Sequence, residues 1–148
     1  MANQYITLKE KQQQEINDFP MFFAFSQKQF EEGMEKLGLA PEDTDKIYKL
    51  GHTGGFYRKT DAQALHELFD RHAKEKAEAI AADTTGEGYI YDMFNYELAN
   101  HEYGYTRDLE PTLDALGLTV EEINADERLL RGLQKARKEQ IAWFNEHW

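Results

Sequence analysis

Apolar residues recur at intervals of three and four along most of the chain, which is the spacing of one face of an α-helix. The intervals predict a solvated N-terminal helix within 1–17, a C-terminal helix over 126–148, and five helices between them. The predicted helices occupy 6–17, 26–37, a short stretch from Pro41 that includes Ile47 and Leu50, 60–82, 89–103, 109–116 and 126–148.

Two aromatic stretches are too short for helices and predict strands instead. Met21–Phe25 follows a proline, which suits the first position of a strand, and Phe56–Arg58 follows a glycine-rich turn. A third candidate strand is Tyr103–Thr106. The sequence therefore predicts an α+β fold, mainly helical, with several capped amphipathic helices and two or three very short strands. A length of 148 residues is typical of one domain, so we expect a single domain over 1–148.

Capping residues predict where several helices begin and end. Ser26 is followed three residues later by Gln29, as in a capping box, and Asp126 is a good N-cap for the last helix. Gly38 and Gly117 are each followed by leucine, which predicts glycine caps at two helix ends.

The stretch 89–106 is rich in tyrosine and contains an unusual pair of polar residues. In a helix, its apolar stripe ends in Glu97 and His101, one turn apart, and Gly104 is a candidate helix stop. An acid and a histidine at these positions predict either a hydrogen-bonded polar cluster or part of a metal site. The candidates for a third ligand are Glu102, His52, His66 and His72.

A zinc-protease helix would carry a second histidine at the position of Glu97. The polar cluster is therefore the favoured interpretation, and we expect no cofactor. A metal-dependent enzyme centred on Glu97 and His101 remains the alternative hypothesis.

The net charge of −11 comes entirely from one segment. Residues 83–127 contain 12 acids and one base, so their charge is 1 − 12 = −11, while the rest of the chain contains 16 acids and 16 bases. Such a segment repels nucleic acid and attracts basic protein surfaces. A solvated acidic face that only keeps the protein soluble is the simpler interpretation.

Composition excludes several other classes of protein. Cysteine is absent, which excludes disulfides, thiol catalysis and thiolate metal sites. No apolar run reaches the roughly 18 residues of a membrane span, and the first residues lack the apolar core of a signal peptide. We therefore expect a cytoplasmic protein that has neither membrane nor direct nucleic-acid partners.

The favoured hypothesis is a non-enzymatic acidic protein that binds a basic protein surface. Tyrosines beside acids suit recognition of Arg and Lys. The predicted binding face is therefore acidic and aromatic, and consists of Glu87, Tyr89, Tyr91, Asp92, Tyr96, Glu102, Tyr103, Asp108 and Glu110.

Three stretches of the chain carry a resemblance to a known family. They are LKEKQQQEINDFPMFFAFSQKQFEEGMEKLGL, YELANHEYGYT and DALGL. In these motifs the chain resembles a family of small uncharacterised acidic proteins from gut Firmicutes, their phages and mobile elements, which has no assigned activity. The resemblance implies a bacterial setting and transfers no catalytic residues. In that setting the favoured hypothesis becomes an inhibitor, a nucleic-acid mimic of the anti-CRISPR kind, that occupies the basic surface of a host nuclease or CRISPR effector.

Overall fold

The computed structural model describes residues 3–148. Its chain divides into two compact units, unit 1 (Met1–Lys11 with Glu75–Trp148) and unit 2 (Gln12–Lys74). The helices are α1 (Gln4–Asp18), α2 (Gln27–Lys36), α3 (Ala62–Ala82), α4 (Tyr89–Asn100), α5 (Tyr103–Thr106), α6 (Glu110–Leu116), α7 (Val120–Asn124) and α8 (Glu127–His147). The strands are β1 (Met21–Phe23), β2 (Ile47–Leu50) and β3 (Gly55–Arg58). The prediction of a mainly helical α+β fold is confirmed, whereas the single domain stays a prediction.

Unit 2 contains a three-stranded antiparallel sheet with strand order β1-β3-β2. Phe22 pairs with Phe56 across the sheet, and their rings stack 5.3 Å apart. Met34 and Leu37, at the end of α2, bury their side chains in the same small core as Phe22. Helix α2 begins as predicted, since the Ser26 hydroxyl accepts a hydrogen bond from the Gln29 N–H at 3.2 Å.

Unit 1 is built on the packing of α4 against α8. Ile90, Phe94 and Leu98 from α4 are fully buried, as is Ala136 from α8. Each large apolar side chain moved out of water contributes about 1.5–3 kcal/mol, so burial in this contact stabilises the unit. The apolar stripe predicted for this stretch is confirmed.

Both predicted glycine caps are confirmed. Gly38 and Gly117 have φ of 76° and 67°, a left-handed conformation in which a Cβ is unfavourable. The residue after each glycine closes the helix end, because Leu118 N–H donates to the Leu113 carbonyl at 3.0 Å and Leu39 does the same to Met34 at 2.8 Å.

Several local predictions are wrong. The chain after Pro41 forms a 3₁₀ turn over Thr44–Lys46 and then β2, because Ile47–Leu50 pairs with β3. The first strand ends at Phe23, and β3 begins one residue earlier than predicted, at Gly55.

The candidate strand Tyr103–Thr106 is wrong, since these residues form the short helix α5. Gly104 lies inside α5 and does not end α4. The left-handed residue between the two helices is Glu102, with φ of 56°. Its backbone turns the chain, because its carbonyl begins α5 by accepting from the Thr106 N–H at 3.0 Å.

The loop between α3 and α4 is organised by one carboxylate. Asp83 accepts hydrogen bonds from the backbone N–H groups of Thr85, Gly86, Gly88 and Ile90 at 3.0–3.3 Å. Burial, the largest single influence, acts to raise the pKa of Asp83, but the four N–H donors together lower the pKa below its ordinary value.

We expect Asp83→Ala to lower the free energy of unfolding by about 2 kcal/mol at pH 7, because four backbone donors lose a charged acceptor. The pKa of Asp83 is lower in the folded state, so its stabilisation is present above the unfolded pKa of about 3.9 and is lost as the pH falls further. Urea denaturation between pH 2 and pH 7 should show a flatter profile for the variant. Equal stability of Asp83→Ala and the exposed-site control Asp114→Ala would contradict this role.

Candidate functional site

A buried polar cluster lies in the C-terminal half of α4. Glu97 is 4% exposed, and its carboxylate accepts a hydrogen bond from the Tyr5 hydroxyl at 2.7 Å. The Lys9 ammonium lies 3.9 Å from the same oxygen, and the Asn100 amide donates to the other oxygen at 3.5 Å. Tyr5 and Lys9 are four residues apart on α1, so both side chains reach one acid. We call Glu97, Tyr5, Lys9, Asn100 and His101 the Glu97 cluster.

Two tyrosine rings pack beside this cluster. The Tyr5 and Tyr96 ring centroids are 5.6 Å apart, and the Lys9 ammonium lies 4.9 Å from the Tyr96 ring. Burial raises the pKa of Tyr5 far above its ordinary value, and the hydrogen bond to Glu97 raises it further. The Tyr5 hydroxyl therefore keeps its proton and remains a donor to Glu97.

His101 completes the cluster with weaker geometry. Its Nε2 lies 3.8 Å from Glu97 Oε1, which is beyond hydrogen-bond distance. Within residues 3–148, this buried nitrogen has no hydrogen-bond partner, and no third histidine or carboxylate brings a ligand atom together with those of Glu97 and His101. Glu102 is exposed, and His52, His66 and His72 belong to unit 2. Among the described residues, Glu97 and His101 are thus two candidate ligands, whereas the metal hypothesis requires three.

The acids of 83–127 differ in how they are used. Eight of the twelve are exposed, and one of these, Glu87, pairs with Lys135 at 3.4 Å. In the part of the chain that the structure describes, the other seven have no ion-pair partner. These seven residues, which we call the acidic set, are Glu102, Asp108, Glu110, Asp114, Glu121, Glu122 and Glu127.

The predicted binding face includes residues that the fold uses internally. Tyr89 and Tyr103 are 4% and 1% exposed, so their placement on the surface is wrong. Their rings belong to the core of unit 1 because the packing of α4 and α5 against α8 encloses them. Tyr91 and Tyr96 are half-buried, and the Tyr91 hydroxyl donates to the Glu139 carboxylate.

Two of the predicted acids also have internal partners. Asp92 accepts a hydrogen bond from the Gln4 N–H at 2.8 Å, near the start of α1, and Glu87 is paired as above. Of the nine residues predicted for the face, Glu102, Asp108 and Glu110 are the exposed acids that lack an ion-pair partner among the described residues.

An aromatic groove in unit 1 was missed by sequence reasoning. It has a volume of about 720 Å³ and lies between α5 and the end of α8. Helical spacing places Trp143 and Phe144 on the broad apolar face of the last helix, yet Trp143 is 54% exposed. The aromatic groove is lined by Ala99, Glu102, Gly104, Tyr105, Gln140, Trp143, Phe144 and Trp148. The only signal in the sequence was the density of aromatic residues in the last six positions and in α5.

The fold and these sites define a small acidic α+β protein with a buried carboxylate cluster and an exposed aromatic groove. Residues 4–139 match the model of a family described as "Family of unknown function (DUF7659)", and the chain belongs to this family. No curated protein and no solved structure matches the chain. The Glu97 cluster lies inside the matched residues, whereas Trp143, Phe144 and Trp148 lie beyond them.

None of the helices within residues 3–148 combines the length and the apolar character that crossing a membrane requires.

Proposed function

We propose that this protein is a non-enzymatic binding protein whose acidic set docks on a basic surface of a protein partner. The observation that carries the proposal is that seven exposed acids in one segment have no cation of the described chain within ion-pair distance. Glu87 differs, because Lys135 neutralises its charge. Helix dipoles favour the acids in first turns, such as Glu110, Glu121 and Glu127, but do not neutralise their charge.

Electrostatics supports an encounter with a basic partner. Unpaired like charges raise the local negative potential, which accelerates association with a positive surface and repels polyanions. Because the charges are exposed, salt screens them strongly, with a Debye length of about 10 Å at 0.1 M that falls to about 3 Å at 1 M. The association rate should therefore fall as salt rises.

The proposed partner is a nucleic-acid-binding enzyme, and the protein acts as its inhibitor in the bacterial cytoplasm. A surface that binds phosphates presents Lys and Arg, and exposed carboxylates offer the same sign of charge as phosphates. The resemblance to proteins of gut Firmicutes, phages and mobile elements makes a host nuclease or CRISPR effector the proposed target.

The test uses two variants that change the net charge equally. The first variant reverses four members of the acidic set, with Glu110, Asp114, Glu121 and Glu127 each changed to Lys. The matched control reverses four exposed acids of unit 2, with Glu35, Glu42, Asp45 and Asp70 each changed to Lys. Both variants move the formal charge from −11 to −11 + 8 = −3.

We expect wild type and the unit 2 control to capture the same nucleic-acid-binding proteins from a Firmicutes lysate, and the acidic-set variant to lose them. Added DNA or RNA should compete with capture, because both occupy the same basic surface. Circular dichroism of all three proteins confirms that they remain folded. An equal loss of captured proteins in both variants would assign the effect to net charge. Equal capture by all three proteins would mean that the acidic set only keeps the protein soluble. Either result would contradict the proposal.

A further inference from the structure

The aromatic groove exposes large rings that a stable fold would ordinarily cover. Trp148 is 85% exposed, Tyr105 is 74% exposed and Trp143 is 54% exposed. The Phe144 ring stands between two of them, with centroids 6.0 Å from both Tyr105 and Trp148. A contiguous exposed apolar patch of this kind marks an interaction site more often than a solvated surface.

Cations of the chain already lie over four other tyrosine rings of unit 1, those of Tyr5, Tyr91, Tyr96 and Tyr103. Tyr91 has the Lys135 ammonium at 4.8 Å from its centroid, and Tyr103 has the Arg137 guanidinium at 5.7 Å. Within the described residues, Tyr105, Trp143 and Trp148 have no Lys or Arg over their faces. The His147 ring stacks on one face of Trp143, with centroids 4.2 Å apart, so that face is already covered.

Two features show which ligand chemistry the groove favours. The Arg107 guanidinium lies 5.9 Å from the Phe144 ring, so one ring of the groove already accepts a guanidinium in the folded protein. Glu102 is the one side-chain carboxylate among the residues that line the groove, and it belongs to the acidic set without an ion-pair partner. Aromatic faces beside an unpaired carboxylate can bind one cation through a cation–π interaction and an ion pair at the same time.

We propose that the aromatic groove binds an arginine side chain of a protein partner. The planar guanidinium stacks on one of the open ring faces that Tyr105, Trp143 and Trp148 offer, and Glu102 accepts its N–H donors. Arginine fits better than lysine because its flat, weakly hydrated head covers an aromatic face at a smaller desolvation cost. This inference rests on the proposed function in one respect: the arginine belongs to a basic partner protein.

The groove carries its own spectroscopic reporter, because the two tryptophans of the chain are Trp143 and Trp148. The test titrates the full chain at low salt with a capped tripeptide, Gly-Arg-Gly, and with the same tripeptide in which citrulline replaces arginine. Because the peptide carries only one positive charge, attraction by the acids outside the groove contributes little to its binding. We expect a saturable change in tryptophan emission with the arginine peptide, and a change several-fold weaker with the neutral citrulline peptide.

Two variants locate the binding without removing the reporter. We expect Tyr105→Ala and Glu102→Gln each to weaken binding of the arginine peptide about two- to fivefold, the range of one exposed cation–π or ion-pair contact. The matched controls are Phe25→Ala, which removes an exposed ring of unit 2, and Glu121→Gln, which removes an unpaired acid outside the groove. Both controls should bind as wild type does.

Three results of the peptide titrations would overturn the inference. They are the absence of saturable binding, equal binding of the citrulline peptide, and equal weakening by Glu102→Gln and Glu121→Gln. A wild-type protein that sediments as a dimer with peptide-insensitive emission would assign the groove to a second copy and would also overturn it. None of these results bears on capture by the acidic set, which is tested with reversals outside the groove, so the two proposals fail separately.

Discussion

Glu97→Ala should lower the free energy of unfolding by about 3 kcal/mol. The substitution leaves the partly buried Tyr5 hydroxyl without its acceptor, which costs about 1–3 kcal/mol, and it opens a cavity beside the core of unit 1. Urea denaturation followed by tryptophan emission measures the change, since both tryptophans belong to unit 1.

A double-mutant cycle with Tyr5→Phe isolates the hydrogen bond. We expect the double variant to be more stable than the sum of the two single losses predicts, by about 1–2 kcal/mol, because neither polar group then remains without the other. Glu121→Ala is the control for loss of an exposed acid and should change stability by less than about 0.5 kcal/mol. Additive losses, or a Glu97→Ala variant as stable as this control, would show that the contact contributes little.

The same contact predicts a loss of stability in alkali. The pKa of Tyr5 is raised in the folded state. The contribution of its protonated hydroxyl to the free energy of unfolding is therefore complete below the unfolded pKa of about 10. It falls as the pH rises from there through the folded pKa. Tyr5→Phe should remove part of this dependence. The rest comes from other buried tyrosines, such as Tyr89, whose pKa burial raises to about 12.

Local sequence signals predicted the elements whose stability is local. The stripe of Ile90, Met93 and Phe94 needs only helical spacing, and the caps at Gly38 and Gly117 need only a left-handed residue followed by leucine. These features depend on residues within one or two turns. The sequence therefore contained the information that they require.

Pairing between distant residues explains the predictions that failed. Ile47–Leu50 has helical spacing, but it becomes a strand because Tyr48 lies opposite Tyr57 in β3. Likewise, the sequence marks Glu97 as an unusual acid on an apolar stripe, but it does not indicate that Tyr5, 92 positions earlier, donates to it. The donors that satisfy a buried acid come from whichever helix packs against it, and periodicity does not identify that helix.

The exposure of individual aromatic residues was equally hard to predict. Tyr89 and Tyr103 are buried although they are predicted on the binding face, and Trp143 is exposed although it lies on the apolar face of α8. A ring's position on a helix face does not determine how far the neighbouring element extends to cover it. The acidic segment was found because net charge is a sum over residues and does not depend on packing.

Gly132 provides the most severe steric test of the fold. It lies inside α8, where alanine is normally more stable than glycine by about 1 kcal/mol. A Cβ at this position would stand 2.5 Å from the Gly86 carbonyl oxygen and 2.7 Å from Ile90 Cγ2. Helix α8 can therefore approach the loop before α4 only because residue 132 has no side chain.

We expect Gly132→Ala to lower the free energy of unfolding by about 2 kcal/mol and Gly132→Val by more than about 3 kcal/mol, since a backbone oxygen cannot move aside as a side chain can. The control is Gly117→Ala, where nothing lies within 4 Å and only the strain of a positive φ applies, which costs about 1–2 kcal/mol. Urea denaturation again measures the three changes. For Gly132→Ala, helix propensity predicts a higher free energy of unfolding, whereas packing predicts a lower one. A stabilised variant would therefore mean that α8 does not lie this close to the loop over 83–88. The packing of α4 against α8 would then have to be revised.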